Sequence, residues 1–206
     1  MKKALLLSFI FLLSLVTISC KTDSKKGASS NSSAKVYSLE PLTTKIGWTA
    51  YKTTDKVAVK GEFTKVNIKE IKTASSAKEA LNGVEFSIPV SSIWSNNDDR
   101  DNKLKQFFFG VMDNTELLKG TITTNSDNEG SVSLTMNGIS NTFPINYIIS
   151  GQLVTIEGVM NLDNWKGQSA IESLNKVCFD LHKGADGVSK TWSEVKIDVA
   201  TYLKVE

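Results

Sequence analysis

The chain has 206 residues, 40% of them hydrophobic and 22% charged, values of a soluble globular body that exclude both wholesale disorder and a polytopic membrane protein. Its formal charge is +2. Once Lys2 and Lys3 are set aside with the leader, 22 Lys+Arg face 22 Asp+Glu, so no basic excess is left for nucleic acid. A single His, His182, and two Cys, Cys20 and Cys178, exclude most zinc sites, disulfide frameworks and His-dependent catalytic sets.

Residues 1–19 read as a lipoprotein signal peptide: Lys2-Lys3, an uncharged run from Ala4 to Ile18, and a small residue, Ser19, at the junction. The 15-residue run is shorter than the roughly 17 to 25 needed to span a bilayer. Cys20, directly after Ser19, resembles the acylated cysteine of a bacterial lipoprotein box. The plainer alternative is a cleaved signal with an incidental Cys. Residues 20–35 hold no large apolar side chain and read as an acylated Cys followed by a flexible Ser/Gly/Lys tether. The expectation is an exported lipoprotein, held to a membrane through Cys20 and facing the periplasm or the cell surface.

Residues 36–206 form the body, with 18 Lys+Arg against 21 Asp+Glu, a net of −3. Period-two alternation marks strands at Ile46–Ala50, Val57–Phe63, Val84–Val90, Val132–Met136, Phe143–Ile149, Val154–Met160 and Val195–Leu203. Short turn-rich links such as Asp127-Asn128-Glu129-Gly130 and Ser150-Gly151 imply sequential antiparallel pairing of seven or eight strands. One convincing helix is available, Ser169 to His182, with Ala170, Ile171, Leu174, Val177, Cys178 and Leu181 as its apolar stripe. A short helical turn capped by Asp98 or Asp99 leads into Phe107-Phe108-Phe109. One helix cannot cover the apolar faces of so many strands, so the sheet closes into a barrel or folds into a sandwich.

Few residues offer chemistry. Cys178 and His182 stand four apart on the helix and would share a face, but the Cys continues the apolar stripe and the His suits a helix C-terminus. The Asp98-Asp99-Arg100-Asp101 cluster has no calcium-loop spacing and reads as caps and ion pairs; no metal site is expected. Arg100 is the candidate for a polar headgroup, against the alternative of pairing with a neighbouring carboxylate. Ile46, Trp48, Phe63, Phe86, Ile88, Phe108, Met136, Ile145 and Ile156 are the candidate inward set, and periodicity leaves open whether they fill the barrel or line a pocket.

The order of motifs resembles the YceI-like family. It is carried by Ile46-Gly-Trp48-Thr-Ala50, Val59-Lys-Gly61-Glu-Phe63, Val84-Glu-Phe86-Ser-Ile88-Pro-Val90, Arg100-Asp101 with Leu104 and Phe107-Phe108, Leu134-Thr-Met136-Asn-Gly138-Ile139, and Val195-Lys-Ile197-Asp-Val199. The resemblance implies an all-β protein, an eight-stranded antiparallel lipocalin-like barrel with one helix in the last crossover, over residues 36–206. It implies a carrier of an isoprenoid lipid such as a quinone or polyprenyl lipid, with the nine inward residues on the tail, no other cofactor, no catalytic residue, and a homodimer as a compatible assembly. Departures from the family pattern fall at the mouth, around Leu104–Phe108, Thr115–Leu117 and Asp163–Trp165. The rival expectation is a filled barrel whose loops contact a protein partner.

Overall fold

A computed structural model describes residues 34–206; the stretch read as a signal peptide, Cys20 and the part before Ala34 of the stretch read as a tether lie outside the described residues. Ten strand segments follow one another: β1 (Tyr37–Lys52), β2 (Val57–Phe63), β3 (Asn67–Ile68), β4 (Glu85–Pro89), β5 (Ile93–Trp94), β6 (Leu117–Ser126), β7 (Glu129–Met136), β8 (Ile139–Ser150), β9 (Leu153–Asn161) and β10 (Thr191–Val205). Three α-helices interrupt them: α1 (Ala77–Leu81), α2 (Asp98–Lys103) and α3 (Gln168–Val177).

All pairing is antiparallel. The segments run in space as β3-β4-β6-β7-β8-β9-β10-β1-β2-β5. The two ends of that order meet, because β2 and β3 are one run of chain, as are β4 and β5. Phe63 pairs with Ile93 and Ile68 pairs with Phe86. Between those pairs the Thr64 N–H donates to the Ser92 carbonyl at 3.0 Å. The ten segments are therefore eight strands, and the sheet closes on itself as the antiparallel lipocalin-like barrel expected from the sequence. Closure leaves no long unpaired edge.

Tight turns fix the register. Asn137 and Gly138, with φ of 53° and 66°, link β7 to β8 in the doubly left-handed form that hairpins favour. The strand absent from the period-two reading is β6, whose inward side runs Leu118, Gly120, Ile122, Thr124; a glycine and a threonine break its apolar alternation. A second helix was also unforeseen. In α1, Ser76 accepts from the Glu79 N–H at 3.2 Å, and Ala80 and Leu81 are buried against β1 and β6. The sequence Ser76-Ala77-Lys78-Glu79 is the capping-box spacing.

Two helix expectations are corrected. The cap of α2 is Asn97, which accepts from the Arg100 N–H at 2.9 Å, not Asp98 or Asp99. The last helix stops at Val177, and Asp180–His182 forms a separate 3-10 turn. Ala170, Leu174 and Cys178 are buried as the stripe predicts, but Val177 and Leu181 face solvent. The helix ends early because its last turn is tied sideways: Asn175 accepts from the Thr191 hydroxyl at 2.9 Å, so the segment follows the start of β10 instead of its own helical period.

Trp165 seals one region of the core. It is 0% exposed, its indole N–H donates to the Leu134 carbonyl at 2.9 Å, and its ring meets Phe143 edge-on at 6.3 Å. Asn137 fastens this segment from the turn after β7, its amide donating to the Trp165 carbonyl at 2.9 Å while its carbonyl oxygen accepts from the Asp113 N–H. Replacing so large a fully buried side chain opens a void and removes the bond to the Leu134 carbonyl. Trp165→Ala should cost about 3–5 kcal/mol, read as a large fall in the urea midpoint; a shift below about 1 kcal/mol would show that Trp165 does not hold the core.

Candidate binding cavity

The inward faces of the strands leave a cavity of about 190 Å³. This exceeds the ~150 Å³ engineered cavity that stays dry and takes up benzene, so it admits a slender chain or a single ring. Of the nine residues proposed from the sequence, Ile46, Trp48, Phe63, Phe86, Phe108, Met136, Ile145 and Ile156 line it. Ile88 does not. It is buried in the core near the Val90–Ser92 turn.

The cavity survives because large inward side chains lie over glycines of the adjoining strand. A Cβ on Gly61 would fall 2.2 Å from Trp48 Cζ2, one on Gly120 2.5 Å from Phe86 Cζ, and one on Gly158 3.0 Å from both Ile145 Cγ2 and Phe143 Cε2. These pairs are set by register: Trp48 opposes Gly61, Phe86 opposes Gly120, and Ile145 opposes Gly158. The rings and branches therefore occupy the volume a neighbouring side chain would have filled, and the lumen stays open.

The helical segments cover the space between strands. After α2 the chain passes through one π-turn, Leu104–Phe108, in which the Phe109 N–H reaches back to the Leu104 carbonyl. The wider turn buries Phe108 and Phe109 together, edge-to-face at 4.8 Å, and Phe109 meets Phe63 at 6.4 Å. Gly110 follows because a Cβ there would lie 2.8 Å from the Lys105 carbonyl. Leu104, Phe109 and Leu174 line the cavity beside the strands. Strand periodicity had no means of finding these three; Ile197 and Val199, which also line it, continue the alternation of β10 and were legible.

No charged side chain among the described residues lines the cavity. Arg100 is half-buried in α2, outside the lining, and its guanidinium has no ion pair among the described residues. The headgroup role proposed for it finds no support in this geometry, because the segment reaches the lumen only later, through Leu104 and the phenylalanines. Asp101, buried, serves as an anchor instead: it accepts from the Ser95 hydroxyl at 2.6 Å and the Ser95 N–H at 3.2 Å. The lining residues that carry polar side-chain atoms are Thr44, Trp48, Thr191 and Trp192. Thr44 is bonded to Thr201 at 2.7 Å, Thr191 donates to Asn175, and the Trp192 indole donates to the Thr53 carbonyl at 2.8 Å. The Trp48 indole N–H has no acceptor, a deficit that costs about 1–3 kcal/mol in a buried group.

Cys178 and His182 do not form a catalytic pair. Burial pushes the Cys178 thiol above its ordinary value, which keeps it protonated and inert. His182 spends Nδ1 on the Thr191 hydroxyl at 2.7 Å; since that hydroxyl gives its hydrogen to Asn175, Nδ1 carries the proton. Burial, and then the positive charges of Lys52 and Lys103, lower the His182 pKa from 6.5 to about 4.

A closed antiparallel barrel around an apolar, uncharged lumen places the protein among the lipocalin-like barrels. A family model described as the YceI-like domain matches residues 37–202, and the chain belongs to that family. Among solved structures it is similar to a polyisoprenoid binding domain from Saccharophagus degradans implicated in plant cell wall breakdown, with a TM-score of 0.59 and 13% identity over 82% of this chain and 98% of that one. It is also similar to BcnA of Burkholderia cenocepacia, with a TM-score of 0.51 and 15% identity over 81% of this chain and 99% of that one. At these identities the likeness is one of fold. A comparison with curated protein sequences returned no match.

Because the folded state holds His182 neutral down to about pH 4, the unfolded chain takes up a proton first, near pH 6.5. The stability this linkage represents is complete above pH 6.5 and is lost as the pH falls towards 4. Between pH 7 and pH 5 the wild type should lose about 1–2 kcal/mol by this route, seen as a falling urea midpoint. His182→Gln should be nearly flat over the same interval, and parallel curves for the two proteins would dismiss the assignment.

Proposed function

We propose that the protein is a lipid-anchored, non-catalytic binding protein that sequesters or ferries an isoprenoid-type amphiphile, a prenylquinone or polyprenyl lipid, in its barrel. The observation that carries this reading is the uncharged apolar cavity of about 190 Å³ at the centre of a YceI-like barrel. The similar Saccharophagus degradans domain, described as polyisoprenoid binding, supports the ligand class. Each methylene removed from water contributes ~0.8 kcal/mol, so several isoprene units give useful affinity without a charged anchor. The occupant enters as a narrow chain, because the space left between the walls is small.

Export and anchoring rest on the sequence of the leader. Cys20 acylation would hold the barrel at a membrane surface, next to the pool from which an insoluble lipid must be drawn, and residues 21–35 give it reach. No helix among the described residues is long and apolar enough to cross a membrane. Cys20→Ser should move the protein from the membrane fraction to the soluble fraction on cell fractionation; an unchanged distribution would remove the anchor.

The binding reading is tested by purifying the protein without added lipid and analysing an organic extract by mass spectrometry. A prenyl lipid at near-stoichiometric ratio is the expected result. Ala50, which lines the cavity, is the place to plug it: Ala50→Phe should remove the co-purifying lipid while the melting temperature holds or rises, as cavity-filling changes often give. A folded Ala50→Phe variant that still carries its lipid would overturn the cavity as the binding site.

A further inference from the structure

We propose that the segment from Val177 to Val188, between α3 and β10, is a membrane-docking lobe that lays exposed apolar side chains into an anionic lipid surface. This goes beyond the anchoring read for Cys20, because the contact is made by the folded body itself.

Exposed apolar side chains are concentrated here. Val177, Phe179, Leu181 and Val188 are 37%, 51%, 56% and 50% exposed, four large apolar residues within a stretch of twelve. The frame that carries them is tied in place. The Gly184 N–H donates to the Val188 carbonyl at 2.8 Å and the Lys190 N–H to the His182 carbonyl at 3.1 Å, so the segment folds back on itself. The link between β1 and β2 braces it: Lys52 Nζ donates to the Leu181 carbonyl at 2.9 Å, and the Thr54 hydroxyl donates to Asp186 at 2.7 Å. Cys178 is buried and pins the segment to the core, while its neighbours Val177 and Phe179 stay exposed.

Place and charge point to a lipid surface as the occupant. The chain leaves the cavity wall at Leu174 and rejoins it at Thr191 and Trp192, all three of which line the lumen, so the lobe is carried by that part of the wall. Lys176, Lys183 and Lys190 stand in and beside the lobe against Asp180 and Asp186, in a body whose net charge is −3. Asp186 is engaged by the Thr54 hydroxyl and the Val188 N–H, and Lys52 adds a further ammonium beside Leu181. Binding at an interface grows with the apolar area buried and with the attraction of basic side chains to anionic headgroups, and the lobe supplies both. A stable protein interface takes about 20–30 residues a side, more than this lobe offers.

Residues 34–206 hold every strand of the closed ring and its core, so the body can be tested without Cys20. The probes are vesicles of phosphatidylcholine, with and without phosphatidylglycerol and free of prenyl lipid, in a flotation assay. The body should bind the anionic vesicles about fivefold or more tightly than the neutral ones, with the difference shrinking in high salt. Phe179→Ser with Leu181→Ser, checked for folding by circular dichroism, should weaken binding to anionic vesicles about tenfold or more. Lys176→Gln with Lys183→Gln should remove most of the preference for anionic over neutral vesicles. Ile148→Ser is the control, since Ile148 is more exposed than any of the four but lies on the barrel wall in β8; it should bind as the wild type does. No binding to anionic vesicles, or a loss in Ile148→Ser as large as in the Phe179→Ser and Leu181→Ser variant, would overturn the proposal. So would a concentration-dependent dimer of the body that the same double change dissolves, which would make the lobe a protein interface. Because the vesicles contain no prenyl lipid, the outcome does not depend on what the cavity holds, and the docking and isoprenoid readings fail separately.

Discussion

The structure depends on a steric economy between neighbouring strands: a large inward side chain is admitted where the residue beside it on the next strand has none. Trp48 over Gly61, Phe86 over Gly120, and Ile145 over Gly158 repeat the same device around the wall. Eight strands bring the walls of a barrel close enough for ordinary side chains to fill it. Laid flat across glycines, the same residues give an apolar surface without closing the lumen. The glycines have negative φ at these positions, so what they supply is vacant volume and not backbone freedom.

Ring closure is where the chain departs from regular strand geometry, and each departure serves the cavity. Splitting one strand at residues 64–66 and its partner at Val90–Ser92 lets two short ladders meet at slightly different registers. The π-turn at Leu104–Phe108 sets two consecutive aromatic rings against the barrel, which a regular helix, turning about 100° per residue, does not do. Polar hubs hold these irregular pieces: Asp101 on Ser95, Asn137 on the Trp165 segment, and Asn175 with Thr191 and His182. The first two hubs lie outside the lumen, and the third reaches its lining only through Thr191, whose hydroxyl is bonded to Asn175.

Much of this was legible because strand alternation has a period of two and the barrel obeys it. Eight of nine inward residues read from the sequence line the cavity, and Gly61 and Gly158 already stood in the inward register. What escaped has physical reasons. β6 was invisible because Gly120 and Thr124 occupy inward positions, so the glycine that makes room for Phe86 also erases the strand's own signal. The end of α3 was misplaced because a tertiary bond from Thr191, far along the chain, overrides local apolar spacing. Ile88 has the right parity but stands next to a break in the strand, where depth and parity part company. Arg100 illustrates a different limit: a motif can mark a family without stating which way its side chain faces.

The pairing of β1 with β10 joins Tyr37 to Val205, the first and last strands of the body. Its consequence is temporal. No growing chain can complete the barrel until β10 has been made, since the last strand is also a neighbour of the first. Such long-range closure places folding among the slower, millisecond-to-second class. Until β10 is in place the barrel stays open between β9 and β1, the two strands it bridges.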